Sequence, residues 1–214
     1  MPRTEAGTAR YARDTPEFSR IAALSDGVFA IAMTLLVLGL EVPDPRAAPL
    51  AETLRERLPN LIAYVLGFGL VANAWWSHHR FVAQLGAFDH ALVRTNLLFL
   101  GAVALVPFPT GLVGGAPTDR WAVVPFIAVF VVLLVLMLTM VRQAQRGALW
   151  RWPLPASLYR WVRASWLAAI AGMSLAAAVG IVVPVAGLVV AAISGSLIEP
   201  LISRRAPRGY SEWS

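Results

Sequence analysis

Three short stretches hold most of the groups able to do chemistry in an otherwise oily chain. The first carries Arg20, Ser25 and Asp26. The second reads Asn73-Ala74-Trp75-Trp76-Ser77-His78-His79-Arg80, and the third opens on Asp89-His90 and runs on to Arg94 and Asn96. All three histidines of the chain lie in these stretches. Ser25, Asp26 and a histidine would supply the nucleophile, orienter and base of a hydrolase if they came within hydrogen-bond reach. No strained nucleophile motif surrounds Ser25, so that reading has little support. His78, His79 and His90 would suit a metal ion, but adjacent histidines on a helix project about 100° apart. The pair also lacks the i, i+4 spacing of a helical zinc site. The favoured role is structural: buried polar groups pair with one another and tie helices together. Trp75 fits it, because a residue shares its helix face with those three and four places on.

Composition sets the elements that must position these groups. Of 214 residues, 58% are hydrophobic and only 14% charged, and the mean hydropathy is +0.66. A soluble domain runs at roughly 45–50% apolar and about 25% charged. Both departures exclude an ordinary soluble domain and a disordered chain. Cysteine is absent, which excludes disulfide frameworks and thiolate metal sites. Lysine is absent too, so the net charge of +6 rests on arginine. A basic protein suggests nucleic acid first. Here the arginines fall in short clusters between long apolar runs, as in membrane-protein loops, and no nucleic-acid partner is expected.

A helix needs about 20 apolar residues to cross the hydrocarbon core. Six stretches qualify: 21–40, 61–82, 91–113, 121–141, one beginning near Leu158 and one ending near Ser203. The last two are fused in hydropathy, and Gly180 and Pro184 mark the break between them. Five crossings is the competing count. The expected fold is an all-α integral membrane protein, a helical bundle with six transmembrane helices. Residues 1–16 and 204–214 read as loose polar tails around one membrane domain, 17–203. The first apolar run is longer than a signal-peptide core and lacks a small-residue cleavage motif, so it is expected to remain as a span. The longest connection is 42–59, where Leu50, Leu54 and Leu58 at four-residue spacing predict a short surface helix.

Arginine placement orients the bundle. With the N-terminus in the cytoplasm, fourteen of the eighteen arginines lie inside; only Arg46, Arg55, Arg57 and Arg120 lie outside. That bias is the positive-inside signature, and six spans then put both termini in the cytoplasm. The same topology brings 20–26, 73–80 and 89–96 to one depth, near the cytoplasmic end. On a wheel of the first span with Ile31 at zero, Leu35 falls at about 40°, Leu38 at about −20° and Thr34 at about −60°. Asp26, at about −140°, points toward neighbouring helices. Taken alone, an aliphatic stripe at i, i+4, i+7 is a packing or lipid face far more often than a pore wall.

The run Arg20-x-x-x-Leu24-Ser25-Asp26-Gly27-Val28-Phe29-Ala30-Ile31-Ala32-x-Thr34-Leu35 closely resembles the signature of the transmembrane protein 175 family of potassium channels. That signature is Arg, three residues, Phe-Ser-Asp and an Ala-Ile-rich helix. Trp75-x-x-His78-His79-Arg80-Phe81 resembles the family's Trp/His motif, and Asp89…Asn96-Leu97-Leu98…Pro107-Phe108-Pro109-Thr110 its third span. Leu24 departs from the family's Phe but keeps an apolar packing residue.

The resemblance implies a potassium-conducting channel rather than an enzyme. It implies a homotetramer in a bacterial inner membrane, with the first helices lining the pore and no carbonyl selectivity filter. The constriction would fall on Ile31, with further aliphatic layers at Leu35 and Leu38 and Thr34 beside the path. Arg20, Ser25, Asp26, Trp75, His78 and His79 would form an inter-helix network, joined at the same depth by Asp89 and Asn96. Potassium is the permeant ion, and no cofactor or metal is implied. The rival is a proton-coupled secondary transporter with the Asp/His layer as relay. Such a protein shows broken helices in repeated halves, and the one candidate break, 107–109, has no partner.

Overall fold

The computed structural model describes residues 10–40 and 49–203, with side chains through residue 195. The expected C-terminal tail, the first nine residues of the N-terminal one and Arg46 lie outside the described residues. Strand β1 (Arg10–Ala12) leads to α1 (Pro16–Leu35), which tightens into a 3₁₀ turn, Leu36–Gly39. Next come α2 (Leu50–Glu56), α3 (Leu58–Gln84), β2 (Ala87–Asp89), α4 (His90–Leu105), α5 (Pro107–Gly115), α6 (Arg120–Arg146), α7 (Ala156–Val182) and α8 (Pro184–Ser203). Five helical stretches are long and apolar enough to cross a membrane: Pro16–Gly39, Leu58–Gln84, His90–Gly115, Arg120–Arg146 and Ala156–Val182. Pro184–Gly195 adds a shorter apolar helix. The chain is thus an all-helical, multi-pass membrane protein.

Local chemistry sets the boundaries. Thr15 caps α1, accepting a hydrogen bond from the Phe18 amide at 3.4 Å, with Pro16 and Glu17 in the first turn. Asp119 caps α6 by accepting from the Trp121 amide at 2.8 Å. The predicted break between the last two helices falls at Val183, and Pro184 opens α8. The predicted surface helix is α2, with Leu50 and Leu54 exposed; Leu58, also exposed, instead opens α3. The third crossing is two helices, divided at the candidate break 107–109. Pro107 has no amide hydrogen to continue the ladder, so α4 ends at Leu105 and α5 starts at Pro107. The Thr110 hydroxyl donates to the Val106 carbonyl at 2.8 Å across the junction.

The segment expected as a loose tail is partly structured. Arg10, Tyr11 and Ala12 pair antiparallel with Asp89, Phe88 and Ala87. Arg13 donates to the Ala83 and Leu85 carbonyls, both at 2.9 Å, at the end of α3, and its guanidinium lies 5.4 Å from the centre of the Phe18 ring. The Gly86 amide donates to the Leu149 carbonyl at 2.8 Å, and the Arg151 amide to the Gln84 carbonyl at 2.9 Å. These bonds gather the start of α1, the ends of α3 and α6 and the start of α4 at one end of the bundle, here termed the ribbon end.

The core runs through the whole bundle, from Phe18, Phe29 and Phe99 to Phe126, Ile127, Met140 and Ala176. Close approaches fix two helix pairs. A Cβ on Gly67 of α3 would stand 2.9 Å from Thr110 Oγ1 of α5. One on Gly187 of α8 would stand 2.5 Å from the Cα of Gly180 in α7. Small residues let helices meet at this distance, and α7 packs more extensively on α8 than on any other element.

Candidate functional site

Helix α1 has two faces with opposite fates. Phe18, Ser25, Phe29, Ala32 and Leu36 recur at helical spacing and are buried against the bundle. Leu24, Ile31, Leu35 and Leu38 lie on the other side and are uncovered in the single chain, Ile31 at 60% and Leu38 at 73% exposure. The uncovered stripe is therefore the one that the wheel groups together. Its last member sits in the 3₁₀ turn, where residues i and i+3 eclipse, so Leu38 stacks over Leu35 at about 6 Å of rise. Thr34 is also exposed, and its hydroxyl donates to the Ile31 carbonyl at 2.8 Å. With its proton so committed, Thr34 Oγ1 presents only lone pairs to the uncovered side, a surface that suits a cation.

Behind this face lies a buried polar chain. Asn96 Oδ1 is 2.8 Å from His78 Nε2, and Asn96 Nδ2 donates to Ser25 Oγ at 3.1 Å. Ser25 Oγ donates in turn to the Ile21 carbonyl at 3.0 Å. Each donor and acceptor is thereby used in one direction: His78 Nε2–H to Asn96, Asn96 to Ser25, Ser25 to backbone. This assigns the proton to His78 Nε2. All three side chains are buried. The His78 ring stacks on Phe99 at 5.2 Å and tilts against Phe29 at 5.7 Å. The chain joins α1, α3 and α4 and turns the apolar stripe of α1 away from them.

The other expected network residues are placed apart from this chain. Trp75 Nε1 donates to Asp26 Oδ1 at 3.0 Å on the exposed flank of α1. His79 touches that pair through the Trp75 ring, 5.4 Å away, and stacks on Trp76. Asp89 caps α4, accepting from the Leu92 amide at 2.7 Å. Arg20 is exposed and has no hydrogen bond or ion pair among the described residues. Among the described residues, no group of three or more His, Asp or Glu is placed to hold a metal ion. One polar contact escaped sequence reasoning: Gln143 of α6 donates to Thr95 Oγ1 at 2.9 Å. Gln143 lies among arginines and reads as loop, but α6 continues to Arg146 and carries it against α4. The usable signal was Thr95 beside Asn96 at the same depth.

Comparison with known proteins finds relatives in sequence and in fold. Residues 20–107 match the family profile described as the endosomal/lysosomal potassium channel TMEM175. A potassium channel of Chamaesiphon minutus is 40% identical over 104 residues, 47% of this chain and 51% of that one. A potassium channel of Streptomyces collinus is 41% identical over 97 residues, 45% of this chain and 47% of that one. The endosomal/lysosomal proton channel TMEM175 of Homo sapiens is 33% identical over 97 residues, 41% of this chain and 19% of that one. The matched stretch spans about half the length of the bacterial relatives. The crystal structure of a lysosomal potassium-selective channel TMEM175 homolog from Chamaesiphon minutus has the same fold. Its TM-score is 0.78 at 25% identity, over 88% of this chain and 99% of that one. The profile starts at Arg20, first residue of the α1 motif, and stops at Pro107, where the third crossing breaks; over those residues in sequence, and over most of its length in fold, the chain is similar to the TMEM175 family.

Proposed function

We propose that this chain is one subunit of a potassium channel, a homotetramer whose α1 helices line the pore. Residues 17–203 would form the channel domain in a bacterial inner membrane. Helix α8, at 20 residues, would span about 30 Å and serve as the sixth crossing. Six crossings put both termini in the cytoplasm, with the ribbon end on that side. The observation that carries this reading is the uncovered aliphatic stripe of α1, held on the side opposite its buried face. An apolar stripe facing a central axis makes stacked rings: Ile31 at the constriction, Leu35 and Leu38 as further layers. Apolar rings gate by dewetting, and small outward shifts of four helices suffice to wet them. Selection then rests on ring width and on the Thr34 lone pairs, and potassium preference is modest.

The polar chain acts through position. It holds α1 on α3 and α4 and so sets the rotation of the stripe. Its hydrogen bonds end on the Ile21 carbonyl, a dead end for a travelling proton. That favours a tie between helices over the relay of a proton-coupled transporter. Reconstitution in planar bilayers under a potassium gradient tests the proposal. Single-channel steps are expected, and Ile31→Asn raises the conductance. Flux that saturates and needs a counter-ion, or an Ile31→Asn current equal to the native one, overturns it.

A further inference from the structure

A second site lies away from α1. Between α3, α6, α7 and α8, in the ribbon-end half of the bundle, is a cavity of about 160 Å³ that opens to the side. The α6 wall is apolar, with Phe130, Leu133 and Met137; α7 adds Met173 and Ala169 beside Ser165, and α8 contributes Ser194 and Gly195. The fourth wall is α3, which presents Asn73, Ser77 and Arg80. These stand at i, i+4 and i+7, so they form one polar stripe along one helix face. The stripe ends on Arg80, about 6 Å along the helix from the end of α3 at Gln84. Arg80 also lies 5.8 Å from the Trp76 ring. Trp161 and Trp166 line the same cavity, and such aromatic groups favour the membrane interface.

We infer that this cavity is a binding site for an anionic glycerophospholipid, with one acyl chain between α6 and α7 and the headgroup phosphate on Arg80. Shape selects the occupant. An enclosed apolar space of about 150 Å³ holds a benzene-sized group, whereas a helix with side chains is about 10 Å across. The site therefore takes a few methylenes of a thin chain that continues out through the side opening, not a helix from another subunit. Charge selects the headgroup: a guanidinium pairs with phosphate oxygens in a two-pronged fit, and basic pockets between helices near the interface hold anionic lipid heads. The bound chain would also buttress α8. The Asn73 amide donates to the Gly195 carbonyl at 3.3 Å beside the cavity, and a Cβ on Gly195 would meet Leu70 at 2.5 Å.

The test uses the full chain in neutral detergent with phosphatidylglycerol carrying a photoreactive acyl group, and the matching phosphatidylcholine. Labelling by phosphatidylglycerol on cavity-lining peptides of α6 and α7 is expected at several times the phosphatidylcholine level. Arg80→Gln lowers it to that level, and Ala169→Phe, which fills the cavity, removes both. Inorganic phosphate at millimolar concentration leaves the label in place, which separates a lipid from a free anion. Equal labelling by the two lipids in the native chain overturns the inference. So does label spread evenly over outward residues such as Val132 and Leu175, or label abolished by phosphate alone. Peptide mapping of the native chain and Arg80→Gln decides the matter even if Ala169→Phe does not fold. Neither readout depends on ion conduction.

Discussion

The first three crossings and the helices that follow them are held together by different physics. Helices α1, α3 and α4 meet through a directed chain of hydrogen bonds around Asn96, braced by the Phe29, His78 and Phe99 rings. Helices α7 and α8 meet where two glycines bring backbone against backbone. A hydrogen bond demands a particular donor at a particular place. A packed apolar seam demands volume, and many residue combinations supply it. The family profile matches residues 20–107, and the likeness in fold covers 88% of the chain.

Five substitutions, one of them paired in a double-mutant cycle, sharpen or break this contrast. The largest effect is expected from Gly187→Val, because its new Cβ strikes Gly180 backbone that no rotamer change can move. Loss of about 3 kcal/mol or more is expected, read as a collapse of the melting temperature in detergent. Asn96→Leu comes next. It keeps the branched shape but leaves His78 Nε2 and Ser25 Oγ without their Asn96 partner, at a cost of about 1–3 kcal/mol. The size-matched Met137→Leu in α6 should cost under about 1.5 kcal/mol. If the two swaps unfold at the same denaturant concentration, the contrast between the halves is wrong. Trp75→Phe removes one hydrogen bond on an exposed flank, and about 0.5–1.5 kcal/mol is expected in a double-mutant cycle with Asp26→Asn. The smallest effect is that of Gly27→Ala within one chain, since no atom stands within 4 Å of the added Cβ. Helix propensity makes the change neutral to stabilising by up to about 1 kcal/mol. A marked loss of the proposed tetramer on native gels would instead place Gly27 at a contact between subunits.

Much of the molecule was legible in the order of its residues. Hydropathy located the crossings because lipid demands long apolar runs, and Pro184 announced the last break because it has no amide hydrogen. The faces of α1 followed from helical period alone. Depth was legible too: Ser25, His78 and Asn96 do meet. Partner choice within that layer was not. Asp89 went to the α4 amides because a carboxylate just before a helix satisfies amides that lack partners, a rule that could have separated it from the network. Arg20 found no partner among the described residues, which no spacing discloses. The ribbon was hidden because three-residue strands carry no usable period, and its pairing joins residues 10–12 to 87–89 across three helices.

That ribbon has a mechanical consequence for α1. With Arg13 clamped to the end of α3 and Thr15 fastening the first turn, the helix resembles a lever with its fulcrum at Pro16. Ile31 stands about 22 Å out along the arm and Leu38 about 33 Å. A swing of about 6° about that fulcrum carries Ile31 sideways by about 2 Å and Leu38 by about 3 Å, while Phe18 hardly stirs.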